Sequence, residues 1–169
     1  MSIEIRPYTE NDIDAMRAIW NATVRDGIAF PQENEMTYVE AEAFFASQTA
    51  CGAAVENGAV LGLFIVHPNN IGRCGHIANA SYTVSEHARG KHVGRALVNS
   101  SITAARQAGF RILQFNAVVA TNVSARHLYE SIGFTQLGTI PGGFRMPDDT
   151  YVDICPYYIE LQDAKGNRQ

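Results

Sequence analysis

Two short stretches of this sequence combine residue types and spacings suited to group-transfer chemistry. The first, Arg89-Gly90-Lys91-His92-Val93-Gly94-Arg95, stands between an apolar run and a helical pattern. At such a junction the first N–H groups of the helix point outward unpaired and attract anions. Gly90 and Gly94 allow close approach to the backbone, and Arg89, Lys91 and Arg95 are three of the chain's 13 basic residues. The set suits a diphosphate; it equally fits a glycine-containing loop with a solvated charged face. It matches neither GxGxxG nor GxxxxGK[ST], so a dinucleotide fold and a phosphate-binding NTPase loop drop out. The second stretch runs from Asn122 to Phe134 and holds Ala125, Leu128, Tyr129 and Ile132 at i, i+3, i+4 and i+7 of a helix. Tyr129 reads as an ordinary core tyrosine, or as a phenol placed to protonate a leaving group.

The elements that must position these residues follow from capping signals and periodicity. Ile3–Arg6 reads as a first strand, closed by Pro7. Thr9 caps a helix to about Val24, with Asp12 reaching back and Ile13, Met16 and Trp20 inside. Arg25–Met36 is a loop, and Thr37 with Glu40 opens a second helix carrying Ala43, Phe44 and Phe45. Asn57-Gly58 between Ala53–Glu56 and Val60–Val66 predicts a hairpin, since both turn residues need positive φ. A strand over His76–Val84 leads into the glycine-containing segment. A helix then runs to about Ala108, with Leu97, Ser101, Ala104 and Ala108 on one face and Gly109 as its stop. Arg111–Ala120, Phe134–Ile140 and Tyr151–Leu161 complete the strands, the last two separated by Pro141-Gly142-Gly143. This order predicts a mixed α/β sheet flanked by helices, one domain over residues 1–169.

Composition bounds the function. The 169 residues are 46% hydrophobic and 18% charged, as in globular proteins. A net charge of −4 argues against nucleic acid or an anionic membrane as main partner. No apolar run reaches the ~20 residues of a membrane span, and the N-terminus lacks a secretory pattern. Cys51, Cys74 and Cys155 are odd in number and form no CxxC pair, which predicts a reduced, cytoplasmic chain. His67, His76, His87 and His127 show no metal-ligand spacing, so no metal is expected.

Together the two stretches resemble the Gcn5-related N-acetyltransferases. That family's acetyl-CoA loop is written Arg/Gln-x-x-Gly-x-Gly/Ala, and a later helix reads Asn-x-x-Ala-x-x-Leu-Tyr-Glu-x-x-Gly-Phe. Arg89, Gly94 and the whole Asn122–Phe134 stretch fit, while His92 stands where the loop's first glycine would be. The resemblance covers nearly the whole chain and implies an acyl-CoA N-acyltransferase fold using acetyl-CoA, as a homodimer. It implies that the backbone of Tyr82-Thr83-Val84 holds the pantetheine arm. Gly90 through Arg95, with Arg89, Lys91, His92 and Val93 among them, would cradle the diphosphate. Asn122 would sit near the thioester, and Tyr129 would protonate the departing CoA thiolate.

The acceptor is implied the same way. The chain resembles the branch that acetylates amino acids and analogues such as phosphinothricin, but Asn79 occupies the position of that branch's candidate base, a glutamate. Asn79, Asn116 and Asn122 are similar to the pattern in the fungal enzyme that acetylates azetidine-2-carboxylate. By that similarity Asn79 anchors the substrate carboxylate, and Asn116 and Asn122 line the acetyl-CoA and substrate cleft. Asn79 and Asn116 also fit plain satisfaction of backbone groups where two strands diverge. With no protein base, the amine would lose its proton through water. Phe30 and Glu33 are candidate acceptor contacts, and Gly142-Gly143-Phe144 a candidate wall. Acetylation of a protein amine and a non-catalytic acyl-CoA-binding module are the alternatives.

Overall fold

Asn57 and Gly58 both take positive φ, 53° and 80°, and close a two-residue turn between β2 (Ala50–Glu56) and β3 (Ala59–Pro68). The hairpin predicted from that dipeptide is therefore present, in a computed structural model that describes residues 2–161. β1 (Glu4–Pro7) adds to β2 antiparallel, and β4 (Ile77–Val84) adds to β3 antiparallel. β5 (Ile112–Val119) then joins β4 in parallel, which the intervening helix α3 (Val93–Gln107) makes possible. The remaining strands are β6 (Thr135–Gln136), β7 (Ile140–Arg145) and β8 (Tyr151–Glu160). The sheet order is β1-β2-β3-β4-β5-β8-β6, with β7 paired to β8.

Alternation along the strands feeds two cores. Leu63 and Ile65 of β3 pack with Ile13, Met16 and Trp20 of α1 (Ile13–Asp26) and with Ala41 and Phe45 of α2 (Tyr38–Ala46). Phe64 and Val66 face the other way, onto Val93, Leu97, Val98 and Ala105 of α3. Partly buried residues of α4 (Val123–Ile132), among them Leu128 and Tyr129, extend that second core. The result is a mixed α/β sheet with helices on both faces.

The Thr37 cap forms as predicted, whereas Thr9 caps a 3-10 turn, Glu10–Asp12, that leads into α1, whose own N-cap is Asp12. The Thr9 N–H and hydroxyl donate to Asp12 Oδ2 at 2.7 and 2.9 Å, and Thr37 and Glu40 make the reciprocal capping box of α2. Three local readings need correction. In α3 the buried residues are Val93, Leu97, Val98, Ser101 and Ala105, while Ala108 is exposed; the stripe turns one residue from the one drawn through Ala104 and Ala108. In α2, Ala43 is exposed and Ala41 takes the core position. Pro141-Gly142-Gly143 is no separator but lies inside β7, where the pairing with β8 shifts register. A Cβ on Gly143 would collide with Ile154 Cγ1, so glycine is the residue that lets the strands come this close. The reversal falls later, where Met146 N–H donates to the Thr150 carbonyl at 2.8 Å.

Candidate active site

β4 and β5 pair only over Ile77–Asn79 against Ile112–Gln114. Beyond that point β4 stays on β3 as far as Val84, while β5 continues with β8. The β5-facing edge of β4 from Ala80 to Val84 therefore has no partner strand, and a gap opens between the two. Two cavities meet in it, sharing Ala29, Tyr82 and Asn122 in their walls.

The larger, about 840 Å³, is lined by Thr83 and Val84 on one side and by Arg89, Gly90 and His92–Arg95 on the other. His92 sits in the left-handed region, φ 61° and ψ 16°, and serves as N-cap of α3. This explains why glycine suits the position: a side chain there costs ~1–2 kcal/mol, which His tolerates better than most residues. Gly90 is also left-handed, φ 82°, and a Cβ on it would meet nothing within 4 Å. Among the described residues, the backbone N–H groups of Gly90, His92, Val93, Gly94 and Arg95 find no acceptor. Five unpaired donors around a helix N-terminus make an anion cradle, and its fit to a diphosphate rests on that count.

Lys91 departs from the expectation. Its N–H donates to the Ala88 carbonyl at 3.3 Å, and its Nζ pairs with Glu56 at 3.1 Å. It does not line the cleft. Arg95 does, with its guanidinium donating to Ser131 Oγ at 2.6 Å. Thr83 is buried and its hydroxyl is hydrogen-bonded to Thr23 of α1, which fixes the strand against the helix that roofs the cleft.

The second cavity, about 340 Å³, lies on the other side of Tyr82 and Asn122 and holds Tyr129, Asn79, Asn116, Phe30 and His67 in its wall. Asn122 caps α4, its Oδ1 accepting from the Ala125 N–H at 3.2 Å, and so stands between the two chambers. Tyr129 belongs to an aromatic cluster, its ring centroid 4.6 Å from that of Phe115 and about 6 Å from those of Tyr82, Phe134 and Tyr157. Its ring packs in the core, as one sequence reading has it, while the residue also lines the cavity. The three tyrosines of this cluster differ in what their hydroxyls do. Tyr82 is bonded to Ser101 at 2.7 Å. Tyr157 donates to Glu130 at 2.7 Å and accepts from Arg126 at 3.1 Å. Only the Tyr129 hydroxyl makes no hydrogen bond among the described residues, and it is not sealed away as an unpaired buried atom. Burial raises its pKa, so the phenol stays protonated and can donate.

Asn79 donates from Nδ2 to the Gln114 carbonyl at 3.0 Å, at the last rung before the strands part. A carbonyl accepts only, so the amide orientation is fixed, leaving one N–H and the Oδ1 without a partner among the described residues. Asn116 exchanges two hydrogen bonds with Asn69, at 2.6 and 3.2 Å, and accepts from Gln114 Nε2 at 3.0 Å. It lines the second cavity and not the first. Phe30 is buried and packs at a tilt against Trp20 with centroids 4.5 Å apart, so one residue anchors the loop and walls the cavity. Glu33 lies elsewhere: it is ion-paired with Arg145 and lines a third cavity between its loop and β7, together with Gly143 and Phe144.

The sequence reading weighed His67 only as a metal ligand; it sits on β3 directly opposite Asn79. The signal was the alternation Leu63, Ile65, His67 on one face. No cysteine lines either chamber, and burial pushes the Cys51 thiol up to about 12. Among the described residues no group of three or more His, Cys, Asp or Glu gathers as a metal-ligand set, and no helix is long and apolar enough to cross a membrane.

Known proteins are similar to this chain in sequence and fold. An N-acetyltransferase of Schizosaccharomyces pombe, aca1, is 33% identical over 165 residues, covering 85% of this chain and 79% of its own. The structure of a GCN5-related N-acetyltransferase from Kribbella flavida superposes with a TM-score of 0.87 at 34% identity, covering 94% of this chain and 98% of the other. A Salmonella typhimurium acetyltransferase, yncA, solved with acetyl-CoA, shares the fold at a TM-score of 0.90 and 20% identity over 99% of both chains. Residues 13–134 match the Acetyltransferase (GNAT) family, and with the splayed strands, the donor-rich loop and the free phenol already in view, the chain belongs to that family.

Proposed function

We propose that the protein is an acetyl-CoA-dependent N-acetyltransferase acting on the amine of a small amino or imino acid, or a toxic analogue of one. The observation that carries this is the second cavity. At about 340 Å³ it is at the low end of small-ligand sites, and the Ala29–Gln32 loop and Phe44 of α2 help to wall it. An extended peptide needs an open groove instead.

On this reading the diphosphate lies on the free N–H groups of Gly90 and His92–Arg95, with Arg89 and Arg95 adding charge. The pantetheine arm runs along the unpaired edge of Tyr82-Thr83-Val84 and passes Asn122 into the gap. The acceptor occupies the second cavity, its carboxylate on the free Asn79 N–H, with Asn116 and Phe30 forming the wall. The free amine then adds to the thioester carbonyl, and a backbone N–H near Thr83 or Val84 steadies the charge that develops on oxygen. Collapse breaks the C–S bond, and Tyr129 gives its proton to the departing thiolate. The amide nitrogen sheds the proton that restores the phenol. A homodimer and a cytoplasmic location belong to the same reading.

The test is thiol release from acetyl-CoA with a panel of proline-ring imino acids, methionine sulfone, phosphinothricin, a polyamine, an aminoglycoside and a lysine peptide. Turnover confined to the small amino and imino acids is expected. Turnover with the peptide alone overturns the acceptor assignment.

A further inference from the structure

The transfer needs a group that takes a proton from the incoming ammonium, and the Asn79 amide cannot. We propose that His67 is that general base, drawing the proton from the acceptor's ammonium group onto Nε2. The inference rests on the reading that the acceptor amine binds in the second cavity.

Three observations carry it. His67 and Asn79 are direct cross-strand partners on β3 and β4, and both line the cavity that also holds Tyr129. A proton acceptor at His67 and a proton donor at Tyr129 thus share the chamber in which amine and thioester would meet. Second, His67 Nδ1 lies 2.9 Å from the Pro68 carbonyl oxygen. A carbonyl only accepts, so Nδ1 carries the hydrogen and the neutral ring holds its lone pair on Nε2. The contact fixes the tautomer a base requires.

Third, the competitors are few. Among the residues lining this cavity, from β3, β4, β5, α2, α4 and the Ala29–Gln32 loop, the other titratable groups are Tyr82 and Tyr129. No carboxylate, lysine or arginine lines it. Both phenols are held protonated by burial, and Tyr82 is engaged with Ser101. Imidazole is the one side chain lining it that offers a basic nitrogen lone pair.

The protons balance. One passes from the ammonium to Nε2 and then to water. The second leaves the nitrogen after addition and replaces the proton that Tyr129 gives to sulfur. The net products are the amide, the free thiol and one released proton.

The experiment is the pH profile of kcat/KM for the acceptor, in wild type and in His67→Gln, which keeps an N–H to offer Pro68. With the base present, the profile levels off while the free acceptor is still an ammonium. Without it, kcat/KM is expected ~10²–10³-fold lower near neutral pH. It then climbs with pH toward the amine's own ionisation, and added imidazole restores activity to His67→Ala. A variant profile lowered evenly at all pH, or unchanged, overturns the proposal, since a structural role would scale it without changing its shape. Nitrogen NMR of the histidine ring gives a readout independent of turnover: a proton on Nε2 and none on Nδ1 overturns the proposal. If wild type acetylates the peptide and no small amine, the acceptor assignment fails, and the same pH comparison on the peptide decides His67 separately.

Discussion

Replacing Tyr129 by phenylalanine removes one oxygen atom and tests the acid role with little structural disturbance. The ring's contacts with Phe115, Phe134, Tyr82 and Tyr157 all survive. The hydroxyl has no partner among the described residues, so no hydrogen bond is lost and stability should move by less than about 0.5 kcal/mol. Tyr157→Phe is the contrast. It strips partners from Glu130 and Arg126 and should cost ~1.5–3 kcal/mol, the range for a bond to a charged group. For turnover the order reverses. Loss of a general acid lowers kcat by ~10²–10⁴-fold, or about 3–5 kcal/mol in the barrier. Because burial raises the Tyr129 pKa, its acid form persists as pH rises, and wild type should show no alkaline loss of activity from this group up to pH ~10. The assay is thiol release under saturating acetyl-CoA, with Kd for acetyl-CoA and Tm measured on the same preparations. A large fall in kcat with Kd and Tm unchanged is expected. A parallel loss of affinity, or a Tm several degrees lower, would refute the acid role and return Tyr129 to the core.

The anion cradle and the N-terminal ion pair give two further tests. Arg89→Ala should weaken acetyl-CoA binding ~5–10-fold, most at low salt, whereas Lys91→Ala should change it less than ~2-fold, because Lys91 is turned toward Glu56; calorimetric titration compares them. Asp12 is held down at about 2, chiefly by the Arg6 guanidinium and then by Thr9. A carboxylate depressed in the folded state contributes stability above its unfolded value near 4, here about 2 kcal/mol, and loses it as pH falls from about 4 to 2. Urea midpoints should therefore separate wild type from Asp12→Asn at pH 7, and the gap should close in acid.

Local rules made much of this molecule legible. The Asn57-Gly58 turn, the Thr37–Glu40 box and the Asn122 cap are decided by side chains within a few residues of the backbone they satisfy. Lys91, Glu33 and Asn116 were misjudged or only partly placed because their partners Glu56, Arg145 and Asn69 lie 35, 112 and 47 residues away. His67 was weighed only as a metal ligand because its place in the site depends on pairing across the sheet. Its partner across the sheet is set by the β3–β4 register, which no turn signal at its own end announces.

His92 shows what a loop motif encodes. The resemblance asks for glycine there, and a side chain at that point invites doubt about the whole cradle. Yet the backbone takes the left-handed turn regardless, and the neighbouring N–H groups stay free. What the loop requires is a backbone path, for which glycine is the least strained residue and not the sole one. The same logic reaches the centre of the site. The parallel pairing of β4 with β5 stops at Asn79 and Gln114, and that one event leaves a strand edge free for an extended ligand. It also opens the gap that joins the two cavities at Tyr82 and Asn122, and the β3–β4 register sets Asn79 and His67 side by side on the wall of the smaller one. The chemistry-bearing residues lie on five elements, yet it is the divergence of two strands that brings them together.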